Sequence, residues 1–113
     1  MLITTEYGKV EISLQVITSI VKKVVAESYG PVNVGTTQQG LLSRLFGSEE
    51  RHGIKVNEEI DGSLILDIEL VLEYGVNIPV VAKNIQENVF HRLKEYIEAT
   101  AVKVNVYVVG IQD

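Results

Sequence analysis

The sequence predicts an α+β domain, a two-layer sandwich. Two helices pack on one face of a mixed sheet of four to five strands, in the order β-α-β-β-β-α-β. Three observations carry this expectation. Apolar residues recur at helical spacing in two segments, Val16 to Val25 and Val81 to Ile97. Two runs with strand alternation flank Asp61-Gly62, a two-residue turn signal. A further run alternates Val102, Val104, Val106 and Val108 with other residues. The 113 residues, 46% hydrophobic and 22% charged, suit a single globular domain over 1–113.

Each element has its own local reason. Leu2 to Ile12 reads as a strand broken at Tyr7-Gly8, with Val10 and Ile12 alternating against Lys9 and Glu11. Ser13 is a helix cap, because its short side chain can accept from a first-turn amide. Val16, Ile17, Ile20, Val21, Val24 and Val25 form the buried stripe of the first helix, which Gly30-Pro31 stops. Its β-branched residues lower helix propensity, so packing on a sheet must hold it. Val32 to Val34 is a short strand candidate. An irregular loop follows at 35–53, rich in Gly, Ser, Thr, Gln and charge.

Ile54 to Ile60 and Ser63 to Tyr74 form a hairpin. Asp61-Gly62 would make a type I′ turn with positive φ at both positions. Leu64, Leu66, Ile68, Leu70 and Leu72 point to the core, while Ile65, Asp67, Glu69, Val71 and Glu73 point away. Asn77 caps the second helix and Pro79 sits in its first turn. Val81, Ala82, Ile85, Val89, Leu93, Tyr96 and Ile97 make its buried stripe. Two helices on one sheet face then give the two-layer architecture. Glu6-Tyr7-Gly8 and Glu73-Tyr74-Gly75 echo each other across the chain.

Composition removes several functions. The formal charge of −5 argues against a protein built on phosphate contacts, so no nucleic-acid partner is expected. There is no Cys, which removes disulfides, thiolate catalysis and thiolate-bound metal. No secretory pattern opens the sequence, and no charge-free apolar run approaches the roughly 20 residues of a membrane helix. The expected location is the cytoplasm, with no direct membrane span.

The search for chemistry returns little. Gly30 to Thr37 spaces two glycines like a phosphate-binding loop but lacks its Lys and follows a helix. His52, beside Glu49, Glu50 and Arg51, has no recognisable nucleophile near it and reads as a solvated loop residue. His91 lies one turn from Glu87 and from Glu95, as helix-surface ion pairing would place it. Asp67, Glu69 and Glu73 read as the water-facing side of a strand. No catalytic residue, metal ligand or cofactor site is expected.

Partner-binding candidates are clearer. Leu41, Leu42, Leu45 and Phe46 place four large apolar side chains in a polar, Gly-flanked loop. They could form a lid over the core, or an amphipathic turn that docks on a partner or membrane surface. Ile65, Val71, Tyr107 and Val109 are apolar among charges on the outer sheet face, a mixture that suits a subunit interface.

Several stretches resemble the bacterial alkaline-shock-protein family, the Gls-type envelope stress proteins. They are Tyr7 to Ser13, Val16-Ile17, Tyr29-Gly30, Gly53 to Val56, Glu73 to Pro79, Val81 to Val89, and Val104 to Ile111. The resemblance spans nearly the whole chain. It implies a cytoplasmic, non-enzymatic interaction or scaffold protein of the envelope stress response. Such a protein self-assembles into homo-oligomers and comes near the membrane only through a membrane-anchor protein. The chain looks like the short, housekeeping kind, often encoded beside a dihydroxyacetone-kinase-like protein. A regulatory subunit of such a kinase-like enzyme is the alternative. The family has no established catalytic residues. Gln86 and Asn88, off the buried stripe within the matching block, are further partner candidates.

Overall fold

A computed structural model describes residues 1–28, 53–99 and 101–113. The Gly30-Pro31 helix stop, the expected strand at Val32 to Val34, His52, and the loop candidates Leu41, Leu42, Leu45 and Phe46 lie outside the described residues.

The chain begins as a hairpin. Strands β1 (Leu2–Thr5) and β2 (Gly8–Glu11) pair antiparallel, with Leu2 opposite Glu11 and Thr5 opposite Gly8. Thr5 Oγ1 accepts the Tyr7 amide at 3.1 Å and donates to the Gly8 carbonyl. The break at Tyr7-Gly8 is therefore a reversal of the chain. Met1 and Ile12, at the open end of the hairpin, reach the core, and the strands themselves bury little.

Helix α1 (Leu14–Ser28) starts where expected, with Ser13 Oγ accepting the Val16 amide at 3.3 Å. Ile17, Val21, Val24, Val25 and Ala26 are buried. Val16 is half exposed, one step off the side that meets the sheet.

Strands β3 (Ile54–Glu58) and β4 (Leu64–Glu73) pair antiparallel, and β5 (Val102–Gln112) pairs parallel to β4. The sheet order is β3-β4-β5. A parallel neighbour needs a crossover, and helix α2 (Ile78–Ile97) supplies it. Asn77 Oδ1 accepts the Val80 amide at 3.2 Å, and Pro79 occupies the first turn.

The core is one layer between helices and sheet. Leu64, Leu66, Ile68, Leu70 and Leu72 of β4 are 0% exposed and meet Ile85, Val89, Leu93 and Ile97 of α2 and the buried stripe of α1. Each such side chain contributes roughly 1.5–3 kcal/mol on burial. The helices contact each other, α1 also contacts β3, and α2 contacts β5. The opposite face of the sheet carries no described element.

The α+β class, the two helices and the mixed character of the main sheet agree with expectation. The strand layout differs in two ways. The described strands form two sheets, of two and three strands, because the first ten residues pair with themselves rather than with β3 or β5. The β3–β4 connection is also longer than a type I′ turn. The Gly62 amide donates to the Glu59 carbonyl at 2.9 Å and the Glu59 amide to the Ser63 carbonyl at 2.8 Å. Gly62 has φ +90°, whereas Asp61 is not among the positive-φ residues. Ile60, Asp61 and Gly62 thus form a three-residue loop ending in a left-handed glycine. Asp61 favours it because its carboxylate accepts both the amide and the hydroxyl of Ser63. Those bonds hold the Asp61 carboxyl below its ordinary range, the Ser63 hydroxyl having the largest effect.

Tyr96 also departs from expectation. It is 55% exposed rather than buried, because Arg92 holds it at the surface. The Arg92 guanidinium lies 5.8 Å from the Tyr96 ring centre and donates to its hydroxyl at 3.1 Å.

Candidate interaction surface on the open sheet face

Cross-strand register arranges the open face in rows. Side chains directly opposite each other on paired strands share a face. Asn57, Ile65 and Lys103 form one row, Lys55, Asp67 and Asn105 the next, then Glu69 and Tyr107. Beyond Leu70 the register shifts by one residue, so that Val71 lies opposite Gly110 and Val109 is the extra residue. Gly110 stands beside the Val71 side chain, where an added Cβ would make an ordinary van der Waals contact at 3.7 Å.

The centre of the face is a polar network. Asp67 Oδ1 accepts the Asn105 side-chain amide at 3.0 Å and the Tyr107 hydroxyl at 3.4 Å, with Lys55 directly across from it. The negative charge of Asp67 pushes the Tyr107 phenol above its ordinary range. Partial desolvation and the hydrogen bond act in the same direction. Lys55, Asp67, Glu69 and Tyr107 line a shallow cleft of about 330 Å³.

Apolar groups flank this network. Ile65 and Val71 are half-buried, Tyr107 is 49% exposed and Val109 is 60% exposed. The structure thus brings Ile65, Val71, Tyr107 and Val109 together on one surface. Gln86 and Asn88 belong to α2, which covers the other face. Asn88 is exposed, whereas Gln86 is half-buried and donates its side-chain amide to the Val104 carbonyl at 2.9 Å. Asn105 and Lys55 carry no signal of their own in the sequence, and only the strand register places them against Asp67.

The other chemical candidates stay apart. His91 lies edge-on to Phe90, with ring centres 5.4 Å apart. Among the described residues no group of three His, Cys, Asp or Glu side chains is placed to hold a metal ion. Nor is any described helix long and apolar enough to cross a membrane.

Comparison with known proteins supplies a family. Residues 2–113 match the model of the alkaline shock protein 23 family, described as having a cell envelope-related function. The chain is 33% identical over 109 residues to uncharacterized protein YqhY of Bacillus subtilis, covering 96% of this chain and 80% of YqhY. It is 29% identical over 111 residues to uncharacterized protein YloU of the same organism, covering 96% and 92% of the two chains. It is 34% identical over 113 residues to uncharacterized protein Spy1614 of Streptococcus pyogenes, covering 97% and 93%. No solved structure matches. The chain belongs to the alkaline-shock-protein family, with a cell envelope-related function.

Proposed function

We propose that this protein is a non-enzymatic, cytoplasmic scaffold of the cell envelope system. It works by self-assembly and by binding a membrane-anchor partner. The observation that carries this reading is the open sheet face. Its apolar rim of Ile65, Val71, Tyr107 and Val109 surrounds hydrogen-bonded polar groups. Surfaces that mix exposed apolar groups with satisfied polar ones suit protein contacts. The family's envelope-related description supplies the cellular setting. No described helix crosses a membrane, and in this reading the partner provides the attachment.

Sedimentation of the intact chain tests the self-assembly. The native chain should associate as concentration rises. Val71→Lys with Val109→Lys, both on the outer face, should sediment as a monomer with an unchanged circular dichroism spectrum. A native chain that stays monomeric at every concentration removes self-assembly from the proposal.

A further inference from the structure

The loop between β3 and β4 holds a chemically singular dipeptide. Asp61-Gly62 is the one place in the chain where an aspartate or asparagine precedes glycine. Every other aspartate or asparagine with a successor is followed by valine, isoleucine or glutamate. The successor matters because a main-chain nitrogen can attack the side-chain carbonyl carbon of the residue before it, closing a succinimide ring. A β-branched successor is stiff and crowds that approach. Glycine has no side chain and turns freely about φ and ψ.

The loop leaves both residues open to water, since Asp61 and Gly62 are exposed. Nothing crowds Gly62, for a Cβ built there meets no atom within 4 Å. Hydrogen bonds nevertheless oppose the attack. Asp61 Oδ1 accepts the Ser63 amide at 2.9 Å and also the Ser63 hydroxyl. These bonds fix the carboxyl and keep it ionised, the hydroxyl having the largest effect. A carboxylate is a poor electrophile, because it has no neutral hydroxyl to lose. The attacking nitrogen is engaged as well, its amide donating to the Glu59 carbonyl at 2.9 Å. Ring closure in the folded chain therefore requires the loop to open locally, with these contacts broken.

We propose that Asp61-Gly62 is a site of spontaneous aspartate isomerisation, and that the clasp of Ser63 on Asp61 sets how fast the folded chain undergoes it. In the open loop the Gly62 nitrogen bonds to Asp61 Cγ, and the carboxyl hydroxyl leaves with the amide proton as water. Water then reopens the ring. Addition at the main-chain carbonyl carbon leaves the peptide running through Cβ, with a free carboxylate on Cα, which is isoaspartate. The conversion consumes no oxidant or reductant, and the water lost is regained. The product has one more carbon in its main chain. It sits inside a loop whose ends are tied by the Glu59 amide on the Ser63 carbonyl at 2.8 Å. Isomerisation therefore loosens the β3–β4 hairpin. This chemistry is separate from the open sheet face and does not depend on self-assembly there.

The test ages the intact chain at neutral pH and physiological temperature. Proteolytic peptides are then mapped by mass spectrometry with electron-transfer fragmentation, which tells isoaspartate from aspartate. Isoaspartate should accumulate at residue 61 ahead of every other aspartate or asparagine, and the isomerised fraction should melt below the fresh chain. Ser63→Ala removes the hydroxyl and should isomerise several-fold faster. Ser63→Thr keeps a hydroxyl and should react at the native rate. In denaturing urea the native chain and Ser63→Ala should react alike, because the clasp is gone from both. Absence of isoaspartate at residue 61, its earlier appearance elsewhere, or a folded Ser63→Ala chain no faster than the native one would each overturn the proposal. So would an acceleration that Ser63→Thr shares, or a rate difference that persists in urea.

Discussion

The side-chain amide of Gln86 on α2 donates to the backbone carbonyl of Val104 on β5 at 2.9 Å. It fixes the crossover helix to the edge strand and satisfies a carbonyl that the β4–β5 ladder leaves free. A half-buried hydrogen bond of this kind contributes about 1 kcal/mol. Gln86→Ala should lower the urea midpoint by that free energy at constant slope. Gln86→Glu should cost more at neutral pH, because a carboxylate presents only acceptors to the carbonyl. Equal stability of all three proteins in urea titrations would show that the contact contributes nothing.

The central strand carries the core. Leu66 is fully enclosed between the two helices and the neighbouring strands. Leu66→Ala should cost about 2–5 kcal/mol through lost burial and the cavity left behind. That is a large fraction of the stability of a small domain. Asp67→Ala, the next residue but on the wet face, should cost far less. Thermal denaturation of the pair checks the assignment of faces.

This assignment was legible in the sequence because period two leaves no ambiguity. Leu64 to Leu72 and Ile65 to Glu73 can occupy only opposite faces. Ser13 and Asn77 were legible as caps for the same local reason, their short side chains reaching back to nearby amides. What stayed hidden depends on partners distant in sequence. Nothing local reports that residues 2–11 pair with themselves, that β5 runs parallel to β4, or that Asp67 gathers Asn105 and Tyr107 from about forty residues away. Asp61-Gly62 misled for a subtler reason. The dipeptide suits both a two-residue and a three-residue turn, and the Ser63 bonds to Asp61 settle the choice. Of the surface candidates, Ile65, Val71, Tyr107 and Val109 shared a predicted face, whereas the role of Gln86 required the helix to be placed over the edge strand.

Backbone conformation gives a paired test. Glu98 ends α2 at φ 54° and ψ 35°, in the left-handed region that costs an L-residue roughly 1–2 kcal/mol. Glycine there relieves the strain but adds entropy to the unfolded chain. Glu98→Gly should therefore be stabilising by about 0.5–1 kcal/mol. Gly75 is the converse case, with φ 102° and open space where a Cβ would stand. Gly75→Ala should destabilise by about 1 kcal/mol through the backbone alone. Differential scanning calorimetry should move the two melting temperatures in opposite directions.

Asp67 also governs the ionisation of Tyr107. Its charge, then partial desolvation and the hydrogen bond, raise the phenol above the ordinary value near 10. A raised folded pKa favours the protonated form in the native state. Its contribution to stability is complete below the unfolded pKa and is lost as pH rises through the folded one. Tyr107 should therefore titrate later than an ordinary tyrosine in carbon-13 tyrosine spectra. Asp67→Asn removes the charge and keeps a possible hydrogen-bond acceptor, so it should return the Tyr107 titration toward the ordinary value. It should also flatten the alkaline loss of stability. The chain with Tyr107→Phe should show the same flatter alkaline limb, because the group that ionises is gone. If Asp67→Asn leaves the Tyr107 titration where it was, the Asp67–Tyr107 coupling is not what raises the phenol, and the polar centre of the open face is arranged differently.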